Sequence, residues 1–148
     1  MKKIQYLMLF CVLALLMGLS ACQSTDKPTG LSISAEVGKK VAVEMGSYTN
    51  LSPTELNGLL GKKDFLLINV HIPFEGNLAK TDLSIPYDRI GLNLDKLPDK
   101  TARIVLYCRS GRMSDIAARE LVKDGYTNIW NLDGGMNAWE QAGLPIEK

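Results

Sequence analysis

Two unbroken apolar runs dominate the middle of the chain. Residues 64–71 read DFLLINVH and residues 102–108 read ARIVLYC, each bounded by polar residues. Runs without polar alternation are the pattern of strands buried on both faces, as in a parallel sheet. YTNL (residues 48–51) and TNIWNL (residues 127–132) are shorter candidates of the same kind. Helical patterns fall between them. In SPTELNGLL, Ser52 is a good cap, Pro53 suits the first helical position and Glu55 completes a capping box, so a short helix should end near Gly61. Ala117, Ala118, Leu121 and Val122 share one face of a helix over residues 114–124. Asp115, Arg119, Glu120, Lys123 and Asp124 share the other, Ile116 is the exception, and Gly125 suits the position just past the end. A last helix runs from Gly135 to Ala142, before Gly143 and Pro145. Strand–helix alternation of this order predicts an α/β fold with a parallel sheet and right-handed crossovers.

The first 21 residues follow a different pattern. Lys2 and Lys3 precede a stretch with no charge from Ile4 to Thr25, and Tyr6 to Leu19 is almost wholly apolar. That run is short of the roughly 20 residues a membrane span needs and fits an export signal better. It ends in LSAC, residues 19–22, which resembles the lipobox of bacterial lipoproteins, where the signal is cut before the cysteine and the cysteine is lipidated. An uncleaved anchor helix is the rival reading. QSTDKPTG, residues 23–30, reads as a polar tether. The expected layout is a signal peptide over 1–21, a lipidated N-terminus and tether over 22–47 with a short extended piece at Val41–Met45, and a folded domain over 48–148. This places the domain at the extracytoplasmic (periplasmic) face of a bacterial membrane, anchored through acyl chains on Cys22.

Composition narrows the function classes. With 148 residues, 46% hydrophobic and 22% charged, the chain suits one domain with a real core. A formal charge of +1 argues against nucleic acid as a partner. One histidine and cysteines at 11, 22 and 108 do not make a zinc spacing. Cleavage before Cys22 would remove two lysines and no acids, moving the charge from +1 to −1, and would leave Cys108 with the single free thiol. An unpaired thiol in an exported chain points to intermolecular pairing or a reactive role, against a buried structural cysteine as the alternative.

The position of Cys108 favours reactivity. Ligands of open α/β sheets bind outside the carboxyl ends of the strands, where Cys108 ends one of the apolar runs. The loop that follows leads into a helix N-terminus, whose free N–H groups and dipole favour negative charge. Gly111 lets the loop curl its own N–H groups round an anion, and Arg109 and Arg112 add fixed positive charge. Such a junction favours a thiolate and receives an anionic substrate. Ser110 and Ser114 either donate to the sulfur or cap the helix.

YCRSGRMS (residues 107–114) resembles the active-site loop of single-domain rhodaneses, the thiosulfate sulfurtransferase-like family. NLDGGMNAWEQAGLP (residues 131–145) resembles the family's C-terminal signature, and LLINVHIPFEG (residues 66–76) its second-strand motif. The resemblance runs from about Tyr48 to Ile146 in the right order and spacing. It implies a rhodanese-like five-stranded parallel sheet with helices on both faces, and sulfur transfer through a cysteine persulfide. Cys108 matches the sulfur-accepting cysteine, and Arg109, Ser110, Gly111, Arg112 and Met113, leading to Ser114, match the loop that cradles the persulfide. Gly134 and Gly135 match the tight turn before the last helix; Trp139 matches an aromatic that packs it, and Trp130 reads as core. Asn69 and His71 stand where the family usually has Asp and Arg, and residues 76–93 replace its usual Gly-His-Ile segment. No role depending on those positions is carried over. Tyr87, Asp88 and Arg89 are candidates for a substitute pocket wall.

The resemblance implies an enzyme that takes a sulfane sulfur from a donor such as thiosulfate or a persulfide and passes it to a thiol or cyanide. Neither a metal nor an organic cofactor is required. Two alternatives are a non-catalytic or sulfur-carrying module at the membrane and a cysteine phosphatase. The phosphatase signature places an arginine six positions after the cysteine, where this chain has Ser114.

Overall fold

The structure, a computed structural model, describes residues 37–148. The expected signal peptide, with Cys11, and the Cys22 lipidation site lie outside the described residues. No helix among the described residues is long and apolar enough to cross a membrane.

The sheet is mixed and has six strands in the order β1-β2-β7-β6-β3-β5: β1 Lys39–Val43, β2 Gly46–Leu51, β3 Leu66–Asn69, β5 Leu83–Ser84, β6 Ile104–Tyr107 and β7 Ile129–Leu132. The five strands β2, β7, β6, β3 and β5 run parallel to one another, as expected. The sixth, β1, is an antiparallel edge joined to β2 by a tight hairpin, with Lys39 opposite Asn50 and Val43 opposite Gly46. It lies within the stretch read as a tether. Its Val41 and Val43 pack against the core while both lysines face solvent, a half-buried edge strand. A separate two-strand ladder pairs β4 (Asn77–Leu78) with β8 (Ile146–Glu147).

The apolar runs are central strands because both faces of the sheet are covered. Along β6 the side chains alternate: Ile104 and Leu106 join one core cluster, Val105 and Tyr107 the other. The first cluster packs under α2 (Arg112–Lys123), through Ala117, Ala118, Leu121 and Val122. The second packs under α1 (Pro53–Leu60) and α3 (Gly135–Gln141), through Leu56, Leu60, Met136 and Trp139. Trp139 is buried and its indole N–H donates to the Pro145 carbonyl at 3.0 Å. Trp130 is half-buried, with the Arg103 guanidinium over its ring at 4.9 Å.

The cap of α1 forms as its residues dictate. Ser52 Oγ accepts from the Glu55 N–H while Glu55 Oε2 accepts from the Ser52 N–H at 2.8 Å. The other Glu55 oxygen accepts from the Gly38 N–H at 2.9 Å, tying the start of β1 to this helix. Ile116, outside the apolar stripe of α2, is 42% exposed. The start of α2 differs from expectation. It begins at Arg112, two residues before Ser114, because Gly111 takes the left-handed conformation (φ +89°) at the cap position.

Candidate active site

Cys108 follows β6 directly, and its sulfur lies on the α2 side of the sheet at 1% exposure. Two groups of the next turn point at it. The Gly111 N–H donates to Sγ at 3.2 Å, and the Ser114 hydroxyl lies 3.4 Å from Sγ and 3.1 Å from the Gly111 carbonyl. No side chain caps α2, so its first-turn N–H groups stay available at the same end as the sulfur. Ser114 does not cap α2; its hydroxyl lies between Sγ and the Gly111 carbonyl, the nearer of the two. Met113 packs against the core beside Cys108, and Ser110 is exposed.

The loop is held by the start of α3. Met136 N–H donates to the Cys108 carbonyl and Asn137 N–H to the Arg109 carbonyl, each at 2.9 Å. These bonds need the α3 backbone to lie against the loop, and Gly135 permits it. A Cβ there would sit 2.2 Å from the Cys108 carbonyl oxygen. This is the contact behind the Gly134-Gly135 turn.

A second brace comes from β2. The Tyr48 hydroxyl donates to Asp115 Oδ1 in the first turn of α2, and Arg119 Nε donates to both Asp115 oxygens at 3.0 and 3.2 Å. Burial pushes the Tyr48 phenol up to about 12, helped by its bond to Asp115. Burial acts to raise the Asp115 carboxyl too. The bonds from Arg119 and Tyr48 outweigh it and hold that group below its usual range. A negative charge in the first turn also suits the helix dipole.

The two arginines are not equivalent. Arg109 Nε donates to Asn137 Oδ1 at 2.8 Å and its Nη1 donates to Glu75 Oε2. Arg112 is exposed and has no ion pair among the described residues. Strand alternation separates His71 from the sulfur. Asn69 is paired with Tyr107, and Val70 joins the core cluster of Cys108 on the α2 face, whereas His71 lies outside that cluster and meets Glu75. Its Nε2 lies 3.4 Å from Glu75 Oε2, and both ring nitrogens are buried without hydrogen bonds. Asn69 is buried and braces the loop after β3: its side chain donates to the Gly76 carbonyl at 2.9 Å and accepts from the His71 N–H at 2.9 Å. Burial pushes the neighbouring Tyr107 phenol up; its hydroxyl accepts from the Leu78 N–H at 3.1 Å.

The segment 76–93 supplies β4, β5 and a 3-10 turn over Tyr87–Leu92. Tyr87 N–H donates to the Val70 carbonyl at 3.0 Å, and the ring packs on the core cluster that contains Cys108. Asp88 lines, with Tyr87, a surface groove on the outer side of α2 beside Ile116 and Glu120. Arg89 is exposed. Glu75 and Asn137 are the site residues that sequence reasoning passed over; each meets Arg109 from a distant part of the chain.

Residues 52–142 match the family model described as a rhodanese-like domain. A sulfurtransferase of Allochromatium vinosum is 36% identical over 90 residues, covering 60% of this chain and 83% of that protein. The chain spans 33% to 66% of the length of several other, longer curated relatives. Among solved structures, a rhodanese-like domain protein from Staphylococcus aureus superposes with a TM-score of 0.55 at 27% identity, covering 67% of this chain and 98% of that one. A Rhodopseudomonas palustris protein titled a possible tyrosine phosphatase superposes at 0.57 with 22% identity, covering 66% and 83%. That likeness speaks to the fold alone.

Proposed function

The chain belongs to the rhodanese-like domain family, and from that premise we propose that it is a sulfurtransferase that carries sulfane sulfur on Cys108. The observation that carries the reading is the setting of the sulfur. Sγ meets the Gly111 N–H at 3.2 Å beside the uncapped first turn of α2. That setting stabilises negative charge on the sulfur and on a second sulfur attached to it.

In the first half-reaction the Cys108 thiolate attacks the outer sulfur of thiosulfate. The new S–S bond forms as the old one breaks, sulfite leaves with the electron pair, and a Cys108 persulfide anion remains. In the second, a thiolate or cyanide attacks the outer persulfide sulfur. It leaves as a new persulfide or as thiocyanate, and the Cys108 thiolate returns. Two displacements through one covalent intermediate give ping-pong kinetics. Steady-state rates with thiosulfate and cyanide should therefore give parallel double-reciprocal lines, and Cys108→Ser should abolish turnover. Intersecting lines, or a Cys108→Ser protein with the parent's rate, would refute the mechanism.

Phosphoryl transfer fits less well. Ser114 stands six positions after Cys108, where a phosphatase needs its arginine, and its hydroxyl is turned to the sulfur. The proposal also includes anchoring through Cys22 at the extracytoplasmic face of a bacterial membrane. That part rests on the pattern of residues 2–30.

A further inference from the structure

Sulfur transfer does not by itself say which donors the site accepts. Arg109 and Arg112 both flank the loop, yet Arg109 is engaged twice, by Asn137 and by the Glu75 carboxylate. Seen from a distance, the opposite charges of an ion pair cancel, so a paired guanidinium attracts a passing anion weakly. Arg112 is then the one uncompensated cation of the loop.

Glu75 is held in place from both sides. Asn69, 1% exposed, donates to the Gly76 carbonyl at 2.9 Å and to Asn77 Oδ1 at 3.0 Å, fixing the chain just after Glu75. The same Asn69 accepts from the His71 N–H at 2.9 Å, fixing the chain before it. The buried His71 ring lies 3.4 Å from the Glu75 oxygen that Arg109 uses. The carboxylate is thus set between an imidazole wall and Arg109, at the end of the sheet where Cys108 sits.

We propose that Glu75 is a positioning residue that determines donor specificity: by holding and neutralising Arg109, it turns the site away from dianionic thiosulfate and toward persulfides whose substituent is uncharged. The proposal rests on the sulfur-transfer reading above. The attraction to Arg109 that this pairing removes is twice as large for a dianion as for a persulfide of an uncharged thiol, which carries only the charge on its terminal sulfur.

The test compares the parent full chain, purified in detergent, with Glu75→Gln and Glu75→Asp. The donors are thiosulfate and hydroxyethyl persulfide, with kcat and KM measured at low and high ionic strength. For Glu75→Gln at low salt, the efficiency ratio of thiosulfate to hydroxyethyl persulfide should rise roughly three- to tenfold, carried by the KM for thiosulfate. The rise should shrink at high salt, and Glu75→Asp should keep the parent's preference. An unaltered ratio, or an equal loss with both donors that persists at high salt, overturns the proposal while leaving sulfur transfer in place. A parent protein that takes sulfur from neither donor overturns the sulfur-transfer reading and this one with it.

Discussion

Gly135→Ala tests how the active loop is held. The added Cβ would lie 2.2 Å from the Cys108 carbonyl oxygen and 2.9 Å from the Arg109 carbonyl carbon and oxygen. All three are backbone atoms, so no side chain can swing aside. Loop and helix must part by about 1 Å, and the two N–H···O bonds from Met136 and Asn137 stretch or break. Losing two such bonds costs about 1 kcal/mol each. Holding an alanine at φ +58° adds about 1–2 kcal/mol. The expected destabilisation is about 3–4 kcal/mol. Displacing Cys108 by about 1 Å should also slow sulfur loading on the order of 100-fold. Gly58→Ala is the internal control. Gly58 is exposed within α1 with nothing within 4 Å of an added Cβ, so the same substitution should stabilise by about 0.5–1 kcal/mol. Urea midpoints of the three proteins give both signs, and loading rates with thiosulfate give the functional effect. A Gly135→Ala protein within about 0.5 kcal/mol of the parent, loading at the parent's rate, would refute this account of the loop.

Tyr48 should give a pH signature. Its phenol is raised from 10.0 to about 12, so the stability it adds is complete below pH 10 and is lost as the pH climbs through about 12. The stability gap between the parent and Tyr48→Phe, from urea midpoints, should therefore narrow across that window; a constant gap would show that burial and the Asp115 bond do not raise the phenol. For the N-terminus, the mature protein recovered from a bacterial membrane should lack residues 1–21 and carry acyl lipid on Cys22, whereas Cys22→Ala should keep residues 1–21 and carry none. An intact parent mass without lipid would contradict the anchor.

The elements read from the sequence are those whose cause is local. Residues 104–107 form a central strand because every one is apolar, and α2 buries the face that its periodicity marks. What escaped was set by distant contacts. β1 was legible only as a short extended piece at Val41–Met45; with two exposed lysines and two inward valines, its start at Lys39 and its pairing are set by the free edge of β2. β4, β5 and β8 are two-residue strands with no periodicity to read. The early start of α2 depends on the backbone of Gly111, a conformation that serine and proline signals do not report. The site divides in the same way. Cys108, Gly111 and Ser114 lie within one short stretch of sequence and are legible together, whereas the Arg109 partners Glu75 and Asn137 lie 34 and 28 positions away. Sequence spacing marked both arginines as cations of the site, and only the fold shows that one of them is engaged.

The most direct test of the central claim is the intact mass of the full chain before and after thiosulfate and, separately, hydroxyethyl persulfide, under anaerobic conditions. The account predicts a gain of one sulfur atom, removed by cyanide with release of thiocyanate, and absent from Cys108→Ser. A parent chain that gains no sulfur from either donor, or a Cys108→Ser chain that gains it equally, would contradict sulfur transfer through Cys108.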